Sequence, residues 1–415
     1  VAEKQTAPCM TEIPPPTASL RLHACASLVE NRRRSHILPG GEMRGKTNRS
    51  TTRRVRTALS AAAVACAVTA GLPGTASAQP TAMAGPADNR AAGVERVSVA
   101  ADGTQADDNS ADASITPDGR RIVFSSSAKN LTPDQPTGGD MVFVRDQQTR
   151  QTKRMGNLPT RQPPVISGNG EYVAYPVKLQ RDVRIRQYKV ATATDIPADC
   201  SGLSCNQPSL NADGNYIALV GLFRRPSSSQ SIELLDRNTN ARVTVATFDH
   251  VQPSKPSLSG DGRYVAYQDG EAGDVFVWDR TSGTSSGPIE DSSKGAATLV
   301  QLSDAGTKVV YLSGSDTYVH DMSSDTDQLV PNVRGVAIDP TGRYLLYAPN
   351  DTTGPSLTLR DLQTDTDKTV SDQPASAGTH AVSANGKDVV FHSAAPDIVP
   401  GNTNGKSQVF VRHFD

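Results

Sequence analysis

From about residue 113 the chain alternates short apolar runs with polar turns, and the turns repeat. The stretch Ser257–Gly283, SLSGDGRYVAYQDGEAGDVFVWDRTSG, shows the unit. Asp261-Gly262 signals a tight hairpin, because glycine takes a positive φ without a Cβ clash. Tyr264–Tyr267 and Val275–Trp278 then read as strands, and Asp279–Gly283 as a polar turn. The turn glycine returns at Gly119, Gly170, Gly214, Gly262, Gly306, Gly342 and Gly386, in steps of 51, 44, 48, 44, 36 and 44 residues. Antiparallel units at this spacing are the mark of propeller blades.

Position counts give the unit its physical content. Four residues before each turn glycine stand Ile115, Ile166, Leu210, Leu258, Leu302, Ile338 and Val382. Three after it come Ile122, Val173, Ile217, Val265, Val309, Leu345 and Val389; five after it come Phe124, Tyr175, Leu219, Tyr267, Tyr311, Tyr347 and Phe391. The residues between these last two sets, such as Val123, Ala174 and Ala266, are apolar too. A strand apolar on both faces is one packed between two neighbouring sheets. Asp146, Asp236, Asp279, Asp321 and Asp361 follow five of the third strands, where a carboxylate accepts backbone N–H bonds and fixes a turn. Gln187 and His413 stand at that place in blades two and seven. Fourth strands are expected over Gln151–Met155, near Tyr188–Ala193, and over Ala241–Val245, Thr326–Val330 and Asp367–Val370. Blade four, with Gly287 and Pro288 in Ser285–Glu290, has a ragged one.

Blade seven runs out of residues before a fourth strand, while Val94–Val99, VERVSV, alternates with no hairpin partner of its own. The two facts predict one structure. The fold expected is all-β, a seven-bladed β-propeller of four-stranded antiparallel blades, with the ring closed by the strand at 94–99 paired to 409–412.

At these residues the chain resembles the TolB-type, WD40-like propeller repeats. The stretches that carry the resemblance are ITPDGRRIVF, ISGNGEYVAY, LNADGNYIAL, LSGDGRYVAY, LSDAGTKVVY, IDPTGRYLLY and VSANGKDVVF, and it covers 94–415. Ala305 and Thr341 depart from the Asp or Asn that precedes the glycine elsewhere. The resemblance implies a binding platform of the cell envelope; propellers of this kind also accompany peptidase domains.

Composition before the repeats changes the picture of the first quarter. Arg53, Arg54 and Arg56 precede an apolar run from Ala58 to Leu72, and Ala76-Ser77-Ala78 has the small-x-small form of a cleavage site. Residues 43–78 therefore read as a secretory signal peptide, with cleavage near Ala78. The apolar run is too short to span a membrane. Arg53-Arg54 leaves Sec and twin-arginine export both open, and Cys66 is a weaker lipidation candidate. Residues 1–42, Pro- and Arg-rich without periodicity, read as a spurious or disordered extension, with Met43 the expected start. Residues 79–93 read as a flexible lead-in. Residues 79–415 carry 31 Lys plus Arg against 39 Asp plus Glu, net −8, which argues against nucleic acid as a partner. Cys200 and Cys205 are the two cysteines left after processing, and in an exported chain they read as a small disulfide.

Candidate chemistry is sparse. The chain has no G-x-S-x-G elbow, P-loop, dinucleotide fingerprint or H-E-x-x-H. Of His250, His320, His380, His392 and His413, only His380 falls on an innermost strand, where it would face the central channel. The long loops at 128–140 and 394–407 belong to blades that ring closure makes neighbours. Asn130, Asp134, Asp140, Asp397, Asn402 and Asn404 therefore form a candidate binding rim, and its oxygens make Ca²⁺ a candidate ligand. No cofactor is otherwise implied. The leading expectation is a non-enzymatic secreted or envelope-associated propeller that binds an envelope protein or extracellular glycan, with no transmembrane anchor. The alternative is a channel-centred glycan lyase or hydrolase.

Overall fold

The computed structural model describes residues 93–415 except 135–137, 224–228, 250–255, 271 and 352–353. These belong to one compact unit, Met83–Asp415. The readings made for residues 1–92 and for His250 lie outside the described residues.

Seven antiparallel blades form the ring, as the repeat spacing predicts. Blade one contains Ser110–Ile115, Arg121–Ser126, Met141–Asp146 and Gln151–Met155, hydrogen-bonded in that order. Five further blades repeat the four-strand order. Blade seven is assembled from both ends of the ring. Gly93–Arg96 pairs antiparallel with Gln408–His413, which pairs with Asp388–Ser393. Val382 bridges Val389 as the innermost strand. The register sets Val94 opposite Arg412 and Arg96 opposite Phe410, and Val97 N–H continues it to Val409 O at 2.8 Å. The closure expected from the spare strand is the closure observed.

Apolar positions behave as their spacing requires. The residues three, four and five after the turn glycine are buried in every blade; Ile122, Val173, Val265 and Leu345 have no exposed surface. They face both ways into the gaps between blades. Around the closing seam Phe124, Phe143, Phe391 and Phe410 share one cluster with Val97 and Leu131. Each fully buried side chain of this size contributes roughly 1.5–3 kcal/mol, so the gaps between blades supply most of the ring's stability.

Tight turns gather on one face. In six blades the carbonyl after the turn glycine accepts an N–H from the turn between third and fourth strands, for example Arg263 O from Arg280 and Arg343 O from Leu362, both at 2.9 Å; in blade seven Phe414, just past the third strand, donates to Lys387 O. The acids expected there do fix those turns. Asp236, Asp279 and Asp321 each accept an N–H two residues on at 2.8 Å. Arg263 also pairs with Asp279 and holds its carboxyl down at about 2.

Blade two differs from expectation. Its third strand is Asp182–Lys189 and its fourth Thr194–Ala198. The two-residue hairpin between Leu179 and Asp182 sets a register that puts Lys189 opposite Tyr172. Lys189, not Gln187, therefore occupies the place of the turn acid. Gln187 is buried instead and donates to Gly214 O at 2.7 Å, tying blade two to blade three. Blade four's outer strand is short, Thr284–Ser286, as Gly287 and Pro288 imply.

Candidate active site

The innermost strands meet around a central channel, and backbone bonds stitch them together where they enter the tight turns. Asn169 N–H donates to Ala212 O, Ala212 N–H to Gly260 O, Gly260 N–H to Asp304 O, Ala305 N–H to Pro340 O, and Ala384 N–H to Pro117 O, at 2.7–2.9 Å. The residues two places before the turn glycines are thereby drawn against the axis. They are Pro117, Gly168, Ala212, Gly260, Asp304, Pro340 and Ala384. Six are Pro, Gly or Ala, the residues that let backbones approach closely. Asp304 alone carries a charge.

Asp304 lines a small cavity of about 20 Å³ together with Gln301 and His380, among apolar residues that include Ile115, Leu210 and Ile338. That volume holds a water-sized group, so a larger ligand would sit across the opening. Dense packing around Asp304 raises its carboxyl from the ordinary value to about 6, and the charge of Asp339 adds to the rise. Asp339 itself is committed. It is fully buried, accepts N–H bonds from Arg343 and Tyr344 at 2.8 Å and from Asn385 at 3.1 Å, and also accepts the Thr341 hydroxyl at 2.6 Å. Five donors, counting the Thr341 N–H, hold that carboxylate as a turn clamp.

Gln301 is a buried staple across the channel. Its Oε1 accepts the backbone N–H of His380 at 3.0 Å and of Ile338 at 3.4 Å, while Nε2 donates to Ile338 O at 3.1 Å. Blades five, six and seven are thus joined through one amide. His380 has a left-handed backbone, φ 60°, and its carbonyl accepts from Ile115 N–H at 2.9 Å. His380, expected from the sequence to face the channel, lines the same small cavity as Asp304. The remaining described histidines lie elsewhere: His413 Nδ1 meets Asp388 at 2.6 Å and His320 Nδ1 meets Asp327 at 3.0 Å. His392 is partly buried, and burial lowers its pKa.

The six candidate rim residues do not converge. Asn130 bonds Asp107 N–H and Gln105 O, and Asn404 bonds Ala106 O at 2.8 Å. Both loops therefore grip the segment between the closing strand and blade one, which fills the space between them. Asn402 donates to Ala395 O at 2.6 Å, Asp134 pairs with Arg154 at 2.6 Å, and Asp140 accepts from the Ser127 hydroxyl. Asp397 is exposed. Asp134 and Arg154 border an open groove of about 460 Å³ at the outer edge of blade one. Cys200 and Cys205 bring their sulfurs to 2.15 Å beside the inner strand of blade three.

Seven copies of the motif, each leading into a four-stranded blade, make this ring a seven-bladed β-propeller. No family model matches the chain, and no curated protein matches it. Solved structures do. An oligogalacturonate lyase in complex with manganese superposes with a TM-score of 0.59 at 14% identity, covering 78% of this chain and 93% of its own. An oligogalacturonate lyase from Vibrio parahaemolyticus gives 0.57 at 12%, with the same coverage. TolB from Acinetobacter baumannii gives 0.43 at 14%, covering 63% of this chain and 62% of its own.

This corrects the leading functional expectation. A non-enzymatic binding platform was the reading that the envelope resemblance implied, yet the two structures that superpose above a TM-score of 0.5 here are named as oligogalacturonate lyases. The alternative, chemistry centred on the channel, is the reading they favour. Manganese does not carry over with the fold. Among the described residues no three His, Cys, Asp or Glu side chains converge as a metal site, and the lining of this cavity offers one carboxyl and one imidazole. That set falls short of a divalent ion's usual ligands.

The signal for Asp304 was present in the chain. It is the one charged residue at a position otherwise held by Pro, Gly or Ala, and periodicity alone treats it as a blemish in a turn.

Proposed function

We propose that this chain is a glycan lyase acting at the tight-turn end of the channel, with Asp304 as its base. The observation that carries the reading is the carboxyl of Asp304, held near 6 where every other blade has a small apolar residue. A base poised near neutral pH suits removal of a proton next to a carbonyl. Hydrolysis of a glycoside needs two available carboxylates, and Asp339 is consumed by its five donors. Elimination needs one. In the step proposed, Asp304 takes the C5 proton of a uronide, and the electron pair forms the C4=C5 double bond. The C4–O bond breaks, and the leaving oxygen takes a proton from His380, the other titratable side chain lining the cavity. Water then carries the proton from Asp304 back to His380.

The named lyases support the class of reaction, though the likeness itself is one of fold. The test is incubation of residues 79–415 with uronide-containing glycans, following the ultraviolet absorbance of the unsaturated product. Absorbance that grows with the native chain and is lost in Asp304→Asn supports the reading; cleavage undiminished in that variant overturns it.

We also infer an extracytoplasmic location, supported by the Arg-apolar-small pattern of residues 43–78 and by the proximity of Cys200 and Cys205. Among the described residues no helix is long and apolar enough to cross a membrane. N-terminal sequencing of exported protein is expected to begin near Gln79, and a thiol assay on it to find Cys200 and Cys205 oxidised. A product starting at Cys66, or two free thiols, would contradict this.

A further inference from the structure

Removing the proton α to a free carboxylate builds a second negative charge beside the first. An elimination site that accepts a free uronate must therefore place a cation against that carboxylate. Among the described residues lining the cavity there is none. No Lys or Arg lines the cavity, whose polar lining is Gln301, Asp304 and His380 within an apolar wall. Gln301 spends its amide on His380 and Ile338.

Cations do stand on the same face, already engaged: Arg280 donates to Gly262 O at 2.9 Å and Arg237 to Gln187 Oε1 at 3.0 Å, while four others pair with acids. Arg120 pairs with Asp146 at 3.0 Å, Arg263 with Asp279 at 2.7 Å, Lys308 with Asp321 at 2.6 Å and Arg343 with Asp361 at 2.5 Å. These partners are the turn acids of their blades, so releasing a cation toward a substrate would loosen a turn. Residues 79–415 carry net −8, and a polyanion approaches such a surface against its field. Catalysis by Asp304 also requires its ionised form, which adds a negative charge where a free uronate would have to sit.

Resting on the lyase reading, we infer that the substrate is a neutral uronide, one whose carboxyl is masked as an ester, and that free polyuronate is rejected. An ester satisfies every feature of the wall. It has no charge to neutralise, its α proton is more acidic than that of a carboxylate, and its alkyl group suits an apolar surround. Like-charge juxtaposition costs several kcal/mol, so discrimination in kcat/KM is expected to be at least about 100-fold.

The experiment compares two polygalacturonates of equal chain length, one highly methyl-esterified and one fully de-esterified, each with EDTA and with added Mn²⁺. Expected is release of unsaturated product from the esterified chain, at a rate EDTA leaves unchanged, and at least about 100-fold slower release from the free chain. Raising the salt should speed the free chain and leave the esterified one alone, because only the former is repelled. Equal or faster cleavage of the free chain, or cleavage that appears with Mn²⁺ alone, overturns the substrate assignment and leaves the lyase reading standing. No cleavage of either chain by correctly folded protein overturns the lyase reading and this assignment with it. Asp304→Asn separates enzyme from contaminant, since it should abolish release from the esterified chain.

Discussion

Blades four and five carry nearly the same turn with one residue moved. Blade four reads Ser259-Gly260-Asp261-Gly262. Ser259 Oγ donates to Asp261 Oδ1 at 2.6 Å, and the same oxygen accepts Arg263 N–H at 2.9 Å. Blade five reads Ser303-Asp304-Ala305-Gly306, with the acid one place earlier. Ser303 Oγ there accepts from Lys308 N–H at 3.1 Å, and no carboxylate closes the turn. The acid stands against the axis instead, where burial and Asp339 raise it to about 6. One step along a strand end changes a carboxylate from a turn clamp in water to a base in a channel. The residue type is the same; its surroundings decide its chemistry.

The largest effect expected from breaking this comparison is on activity. Asp304→Asn should lower kcat on the glycan by about 10²–10⁴-fold. The double change Asp304→Gly with Ala305→Asp, which writes blade four's turn into blade five, should be as inactive while folding normally by circular dichroism. Retained activity in that double variant would separate the chemistry from the displaced acid.

Next comes the element that both blades share. Gly262 and Gly306 each have φ near 70°, and a Cβ on either would come within 3.0 Å of the preceding blade's tyrosine, Tyr216 or Tyr264. Gly262→Ala and Gly306→Ala should therefore each destabilise by about 2–4 kcal/mol in urea unfolding, through backbone strain plus a displaced ring. A loss in one blade and none in the other would show that the two turns are not equivalent.

A smaller effect comes from the acid itself. Asp304 titrates near 6 when folded against an ordinary value of 3.8. Ionisation therefore works against the native state. The native chain bears no such cost below about pH 4, loses stability as pH rises from about 4 to 6, and then levels off. Asp304→Asn should match the native chain at pH 4 and exceed it by on the order of 2–3 kcal/mol above pH 6. The reverse trend, with the variant weaker at neutral pH, would mean that the carboxylate is stabilised where it stands. Asp261→Ala in blade four is the mildest of the set, losing about 1 kcal/mol at neutral pH with activity unchanged.

Much of the fold was legible because it is written locally. Alternation and the turn glycine set the blades, and the spare strand Val94–Val99 answered a strand missing after Arg412. Blade two was misread by two residues because its register depends on the Gln180-Arg181 hairpin, and nothing local distinguishes Gln187 from Lys189. His380 was singled out from its place on an innermost strand, and it lines the cavity beside Asp304. Asp304 was not singled out. It registered as a turn lacking its acid at Ala305, since facing an axis is a property of seven blades together. The rim residues were legible as loop polar groups; that their partners lie in the segment at 100–110 depends on how the closing strand delivers that segment between two loops.

The central claim is that Asp304 is a channel acid poised near neutral pH, and it can be tested without any substrate. Carbon-detected NMR of aspartate carboxyl groups, recorded from pH 3 to 8 on the native chain and on Asp304→Asn, isolates one titration by difference. The account predicts that the missing resonance titrates with a midpoint near 6. A midpoint near 4 would place Asp304 with the ordinary turn acids and contradict it.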